Sequence, residues 1–352
     1  MRRQGSTRSG RGAICFRMTV ILLAAFVSDE MVPAVFGSEL SAPQRSRAEI
    51  EAVLARAPQP PRQETRHGLK IVLVADKKDH GPGAHDYPLW QKRWKVLLGG
   101  QGAGETAETQ VNLYGPAPAN SDTETLAGLP KVKVTTAQQW PSSEQFQSAD
   151  LVVLFCYCRW SEQQTTALEE YLSRGGGFVA IHSALWRRKN GYSSEKAVRL
   201  TGLRAEDDFS LWRHGSLDLK IAAPQHPICC GLPATIHFVD EAYWALNGDS
   251  RAVNVLVTSE EKGKGASGET RPEPMFWAVQ HGKGRVFGCI LGHFNWTFDD
   301  PYFRILLLRG MAWAAGESPY RFDPLVLRGT RLQGRAPNAG PALVKHAGQP
   351  EK

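Results

Sequence analysis

From Leu69 onward, short and almost unbroken apolar runs alternate with segments of helical spacing. Leu69-Lys-Ile-Val-Leu-Val-Ala75, Ala149-Asp-Leu-Val-Val-Leu-Phe155 and Phe178-Val-Ala-Ile181 are the runs expected of strands buried on both faces. Leu89, Trp90, Trp94, Leu97 and Leu98 give Tyr87–Leu98 the spacing of an amphipathic helix. Leu168, Tyr171 and Leu172 do the same for a segment that Ser161 can N-cap and Gly175-Gly-Gly177 can stop. A strand, a crossover helix and a second strand within about thirty residues predict a βαβ unit and a parallel sheet. Weaker patterns predict short strands at Val111–Tyr114 and Val132–Thr136 and a brief helix at Ser143–Gln147. The C-terminal half predicts strands at Leu217–Ala222, Val239–Ala245, Val253–Thr258, Met275–Gln280 and Gly284–Leu291. A last helix runs from Pro301 at N1 to Ala315, with Gly316 ending it. There is no internal repeat.

Charge changes the picture at the two ends. The net charge is +7, but residues 1–20 hold five Arg and no acid, and residues 321–352 hold six basic and two acidic side chains. The stretch between is therefore close to neutral, which disfavours a nucleic-acid partner, since that would need basic side chains clustered on the folded surface. The Arg-rich start leads into Met18-Thr-Val-Ile-Leu-Leu-Ala-Ala-Phe-Val27 and the small residues Gly37-Ser38, the layout of a signal peptide. The apolar run is shorter than the roughly 20 residues a permanent span needs. We expect residues 1–37 to be a leader, 38–68 a linker with a short helix at Arg47–Arg56, 69–320 one α/β domain, and 321–352 a disordered basic tail. Export follows, with no stable membrane span after processing. Cys15 would leave with the leader. The pairs Cys156/Cys158 and Cys229/Cys230 leave a bridge open, while small apolar core residues are the simpler reading of these and of Cys289.

Several titratable residues fall just beyond the predicted strands, where ligands sit in open parallel sheets. His80 and His85 lie in Asp79-His-Gly-Pro-Gly-Ala-His-Asp86, His182 directly follows Ile181, His293 follows Leu291-Gly292, and Glu241 lies in Val239-Asp-Glu-Ala-Tyr243. Four imidazoles and a carboxylate near one edge can bind a divalent transition metal or act as acid and base. Each also has a plainer reading as a loop-capping or structural residue. No His-Glu-x-x-His and no paired Cys-x-x-Cys marks a metal site, and Cys156-Tyr-Cys158 is not a usual zinc spacing.

Three blocks, in order, carry a resemblance. They are Gly175-Gly-Gly-Phe-Val-Ala-Ile-His-Ser-Ala184; His226-Pro-Ile228 with Gly231-Leu-Pro233 and Asp240-Glu-Ala-Tyr243; and Gly282-Lys-Gly-Arg-Val286 with Leu291-Gly-His293, Phe303, Arg309-Gly310 and Trp313-Ala-Ala-Gly316. Together they resemble the ThuA (trehalose-utilisation) family. The resemblance implies a class I glutamine amidotransferase-like, flavodoxin-like fold, a mostly parallel sheet with helices on both faces. In amidotransferases a Cys occupies a tight strand-to-helix elbow. Here the matching elbow is Ile181-His182-Ser183, and an imidazole there cannot form the thioester, so amidotransferase chemistry is not expected.

The family is linked with oxidised disaccharides such as 3-keto sugars, which implies isomerisation or cleavage beside a sugar carbonyl. On that reading Glu241 and His182 are catalytic, and His80, His85, His182 and His293 hold the metal. His214, Trp296 and Asp299 bind the sugar, with the aromatic faces of Trp212-Arg213-His214 and Phe294-Asn-Trp296 available for stacking. The expected partner is a small-molecule carbohydrate, and a homo-oligomer is left open. Two loops, Asp79–Asp86 and Glu261–Pro274, are expected lids. A non-catalytic carbohydrate-binding or scaffold protein of the same fold stays open beside the enzyme. A hydrolase built on Cys156 or Cys158 would need a His within reach of the thiol.

Overall fold

The computed structural model describes residues 42–58, 68–100, 110–115, 128–189, 192, 195–264 and 268–333. The expected leader and the far end of the expected tail lie outside them. In chain order the helices are α1 (Arg47–Ala55), α2 (Tyr87–Gly99), α3 (Ser143–Ser148), α4 (Glu162–Ser173), α5 (Glu195–Thr201) and α6 (Pro301–Ala314). The strands are β1 (Leu69–Ala75), β2 (Val132–Gln138), β3 (Leu151–Leu154), β4 (Gly177–Ile181), β5 (Trp186–Arg187), β6 (Ala205–Glu206), β7 (Leu211–Ile221), β8 (Thr235–Trp244), β9 (Asn254–Lys262), β10 (Thr270–His281) and β11 (Gly284–Cys289).

Nine strands form one sheet in the order β2-β1-β3-β4-β11-β10-β9-β7-β8. The ladders are parallel from β2 as far as β11 and antiparallel from β11 to β8. The sheet is therefore mixed rather than mostly parallel. β1, β3 and β4 are almost wholly buried, as runs without polar alternation require. β7 alternates buried and exposed positions through its second half, the mark of a strand wet on one face.

Helices cover both faces of the parallel half. A Cβ on Gly284 would collide with the backbone of Leu172 in α4, and one on Gly177 with Ala314 in α6. The two glycines lie on opposite sides of the pleat and let one helix approach each face. Local chemistry sets the ends of these helices. Ser161 caps α4 by accepting from Gln164 N–H, and Asp300 caps α6 by accepting from Tyr302 and Phe303 N–H, with Pro301 in the first turn.

Three expectations change. Val111–Tyr114 is not a strand: the N–H groups of Leu113 and Tyr114 donate to the Asp299 carboxylate instead of to a ladder. The segment from Arg321 stays packed at first, with Phe322, Leu325 and Val326 fully buried and Leu332 bridged to Arg45. The stretch before β1 contributes α1, whose Ile50 and Val53 are buried, so part of the expected linker belongs to the core. No helix among the described residues is long and apolar enough to cross a membrane.

Candidate metal centre

Three loops leave the carboxyl edge of the parallel strands and meet. The loop after β1 carries Asp79, His80 and His85; His182 follows β4; Gly292-His293 follows β11. β1 and β11 are not neighbours in the sheet, so backbone pairing has to join their loops. His85 N–H donates to His293 O at 3.0 Å, Asn295 N–H to Gly83 O at 2.8 Å, and Ala84 bridges Phe294. This pinning also means that Asp79–Asp86 is a fixed wall of the site, not a lid. His85 and His182 both hold left-handed backbone, with φ of 44° and 52°, a conformation that costs a side-chain-bearing residue of order 1–3 kcal/mol. At His182 this is the tight turn expected after Ile181.

The fourth wall is β8. Three strands separate it from β11 in the sheet, yet the antiparallel half curls back far enough to place β8 on the loop after β11. A register shift in β10 between Pro274 and Trp277 marks the bend. Asp240 makes the junction: its carboxylate accepts from the backbone N–H of Glu241, Gly292, His293 and Phe294. Gly292 has φ of 128°, and a Cβ there would crowd Ile181 and Phe298, so this turn favours glycine. On the next residue of β8, Glu241 points the other way, into the gap between the loops.

Glu241 is the hub. Its Oε2 lies 3.1 Å from His182 Nε2 and 3.0 Å from His293 Nδ1, and its Oε1 lies 3.1 Å from His214 Nε2. His214 is the cross-strand partner of Glu241 in the β7–β8 ladder, a pairing that places two side chains on one face within reach. Tyr243 shares that face two residues on, and its hydroxyl is 2.6 Å from His182 Nε2.

The hydrogen bonds fix the tautomers. His182 Nδ1 is 2.6 Å from Ile290 O; a carbonyl only accepts, so Nδ1 carries the proton and Nε2 keeps its lone pair. His85 Nδ1 donates to Asp79 Oδ1 at 3.0 Å, with Tyr87 O–H alongside, leaving Nε2 with its lone pair directed inward. Ligand imidazoles are commonly fixed in this way, by a carbonyl or carboxylate on the far nitrogen.

His85, His182, Glu241 and His293 each offer a ligand atom, all within 4.8 Å of one another, and all four residues are buried. His85 Nε2 and both ring nitrogens of His293 find no well-aligned hydrogen-bond partner. Buried polar atoms are seldom left so, and inward lone pairs around a carboxylate fit a cation. Tyr243 O–H also reaches Glu241, so it can release His182 Nε2 to such a cation. This group can hold a metal ion. Three imidazoles and one carboxylate suit a divalent transition metal better than calcium or magnesium.

Burial would raise the Glu241 carboxyl, but its contacts with His182, His214 and His293 outweigh that and hold it well below the usual range. Burial pushes His85 well below its ordinary value and His293 down to about 4. His214 is half-buried; burial lowers it, but Glu241 wins and raises it. For His85 and His293, whose folded values are depressed, the unfolded chain binds protons first, so stability falls as pH drops below about 6.5. Glu241 acts in the same direction at lower pH, and His214 weakly in the other. With chelator present, the melting temperature should drop between pH 6.5 and 4. His293 alone contributes on the order of 3 kcal/mol to the stability lost over that range. His293→Gln should flatten the profile in calorimetry, and an unchanged slope would contradict this account of the buried neutral imidazole.

His80 stands at the rim, bonded to Asp79 at 2.8 Å, with its ring 3.8 Å from that of His85. It belongs to a more exposed group with Asp79 and His85, not to the buried four. His214 is at the site. Trp296 is a core residue and not a sugar platform: its indole N–H donates to Val239 O and its ring stacks on Phe294. Asp299 is fully buried, accepts from Leu113 and Tyr114 N–H and pairs with Arg304, so it has no face for a sugar hydroxyl. Of the other expected lid, Glu261 and Lys262 end β9 and Thr270–Pro274 begin the antiparallel β10, with Glu261 held by Arg213; residues 265–267 lie outside the described residues. The five described cysteines are free. Burial pushes Cys156 up and Cys158 up to about 12, against the thiolate that the hydrolase reading needs. Sequence reasoning missed Asp79, Asp240 and Tyr243 as parts of the site. For Tyr243 the signal was available, since i and i+2 on a strand share a face with Glu241.

The model of the ThuA family, described as trehalose utilisation, matches residues 121–314. Two crystal structures of ThuA-like proteins are similar. The one from Bacteroides uniformis ATCC 8492 is 16% identical, covering 75% of this chain and 99% of its own, with a TM-score of 0.51. The one from Parabacteroides merdae ATCC 43184 is 22% identical, covering 71% of this chain and 91% of its own, with a TM-score of 0.49. The first of these likenesses supports the mixed α/β fold. No curated protein sequence matches the chain.

Proposed function

Because this chain belongs to the ThuA family, we propose that it acts on a carbohydrate, moving a proton beside the carbonyl of a keto-sugar in isomerisation or cleavage. The observation that carries this reading is the convergence of His85, His182, Glu241 and His293 on one buried point, reached on one side by the half-buried His214. A cation held by those four residues would supply Lewis-acid polarisation of the sugar carbonyl.

The remaining work falls to the chain itself. His214 is the one imidazole of the cluster that combines partial exposure, at 30% of its side chain, with a proton affinity raised by Glu241. It can therefore take a proton from the substrate carbon and return one near neutral pH, cycling between imidazole and imidazolium. The Glu241 carboxylate stays ionised and compensates the imidazolium. The Ile290 carbonyl orients His182 through Nδ1, and Asp79 orients His85, so the inner groups are fixed before substrate arrives. The Arg-rich start with its apolar run makes export part of the same proposal. Amidotransferase chemistry has no place in it: the resemblance implies that His182 stands where that chemistry needs a Cys nucleophile, and an imidazole cannot form the thioester.

Solvent exchange tests this reading. In heavy water, the metal-supplemented protein should incorporate deuterium at the carbon beside the carbonyl of a 3-keto-disaccharide, followed by mass spectrometry. Neither exchange nor product across keto-sugars of several configurations would sink the proposal.

A further inference from the structure

Against the loop that follows β3, apart from the candidate metal centre, the fold buries a cation without a counter-ion. Arg204 is 2% exposed and stands just ahead of β6. Its main chain pairs with that of Asn247 through hydrogen bonds of 2.9 and 2.7 Å, which fixes where the side chain starts. Its Nε is enclosed without a partner, and no hydrogen bond or ion pair reaches the guanidinium among the described residues. Arginines are rarely buried unless paired, because the charge and the five N–H donors both demand an acceptor.

The neighbouring groups do not supply one. Glu206, two residues on, has Oε2 on Arg187 and Oε1 on Asn247. Burial pushes the nearby Cys158 thiol up to about 12, so it stays neutral. Burial lowers the guanidinium only to about 10, which leaves it charged at neutral pH, and Arg187 adds a second positive charge nearby. A cation–π contact, 4.8 Å from Cζ to the Trp160 ring centroid, eases the charge but offers no oxygen to the N–H groups.

The polar atoms around Trp160 are in the same condition. Its indole Nε1 and that of Trp140, whose ring stands edge-on at 5.3 Å, are buried without partners, as is Gln164 Oε1. Gln164 Nε2 meets Cys158 Sγ at 3.8 Å. Rotated half a turn, that amide accepts from the Cys158 S–H and presents its NH₂ where Oε1 otherwise lies unpaired. Ser161, next to Trp160, caps α4, which adds the positive end of a helix dipole.

From this surplus of donors and positive charge we infer that Arg204 and Trp160 form the core of an anion site, for one small monovalent anion, a halide or the carboxylate of a small acid. One uncompensated positive charge calls for one negative charge. Enclosure limits the size: Arg204, Trp160 and Cys158 are each no more than 5% exposed, which suits an anion of a few heavy atoms and not a sugar. A carboxylate can meet the edge of the guanidinium in the paired geometry that arginine favours. None of these residues belongs to the buried His/Glu cluster, so the inference stands apart from the carbohydrate reading.

Thermal melting tests it in sodium gluconate, an anion too bulky for the site, with chloride, bromide or acetate replacing gluconate at constant ionic strength. The melting temperature of wild type should rise saturably with halide or acetate, by about 5 °C at about a hundred times Kd. A folded Arg204→Gln should show no such rise. A response to chloride and bromide assigns a halide, and a response to acetate alone assigns a carboxylate; either upholds the site. If Arg204→Gln does not fold, wild-type crystals grown in the responding anion decide, with bromide (by anomalous scattering) or acetate expected against the guanidinium. No rise over gluconate with any of the three, a rise that survives in folded Arg204→Gln, or only water at the guanidinium in those crystals would overturn the inference.

Discussion

Glu241→Gln should lower exchange at the keto-sugar carbon by about 10²–10⁴-fold, the range expected when the acid–base group it supports, His214, no longer works, and should also lower metal affinity. One change has two effects because the carboxylate faces both directions: Oε2 lies between His182 and His293, and Oε1 faces His214. The amide keeps the shape but loses the charge. It also turns a donor NH₂ toward either the inner nitrogens or His214, and the raised proton affinity of His214 goes with the charge. The pH–rate profile should therefore move along with the rate, and the variant should still fold, since no backbone group depends on Glu241's side chain. Stopped assays in heavy water with circular dichroism decide it. A folded variant with wild-type exchange and wild-type metal content would remove Glu241 from the site chemistry.

Asp240→Ala should be the most destabilising single change at the site. Four buried backbone N–H groups, from Glu241, Gly292, His293 and Phe294, lose their acceptor at once. Each orphaned donor costs about 1–3 kcal/mol. Because neighbouring losses do not add fully, a total of about 4 kcal/mol is expected. The turn that carries His293 should loosen with it, so metal binding should fall even in the folded fraction. Asp240→Asn should cost less, because one oxygen remains to accept while the amide opposes at least one N–H. Urea unfolding of the three proteins gives the order, and an Asp240→Ala protein as stable as wild type would refute the junction role.

Much of this fold is legible in the sequence where local chemistry decides it. The continuous apolar runs at β1, β3 and β4, the Ser161 cap and the Pro301 start all lie within a residue or two of where pattern places them. Where long-range contacts decide, pattern fails. Val111–Tyr114 has strand-like residues, but a buried carboxylate almost two hundred positions away takes its N–H groups. Trp296 and Asp299 have the chemistry of sugar-binding residues and lie next to His293, yet both are turned into the core. The pattern predicts each strand of the antiparallel half, but nothing in its spacing announces that it curls back to deliver Glu241. For the same reason the His and Glu side chains can be listed from sequence as candidates, whereas their convergence depends on the β1–β11 loop pairing and on Asp240.

Metal content of the purified protein, by inductively coupled plasma mass spectrometry beside His182→Ala and His293→Ala, decides whether the four buried residues form a metal centre. About one equivalent of a divalent transition metal is expected in wild type and its loss in both variants, with circular dichroism showing that each stays folded. A wild-type protein that carries no metal and takes up none when titrated with zinc, manganese, cobalt, nickel or ferrous iron would contradict it.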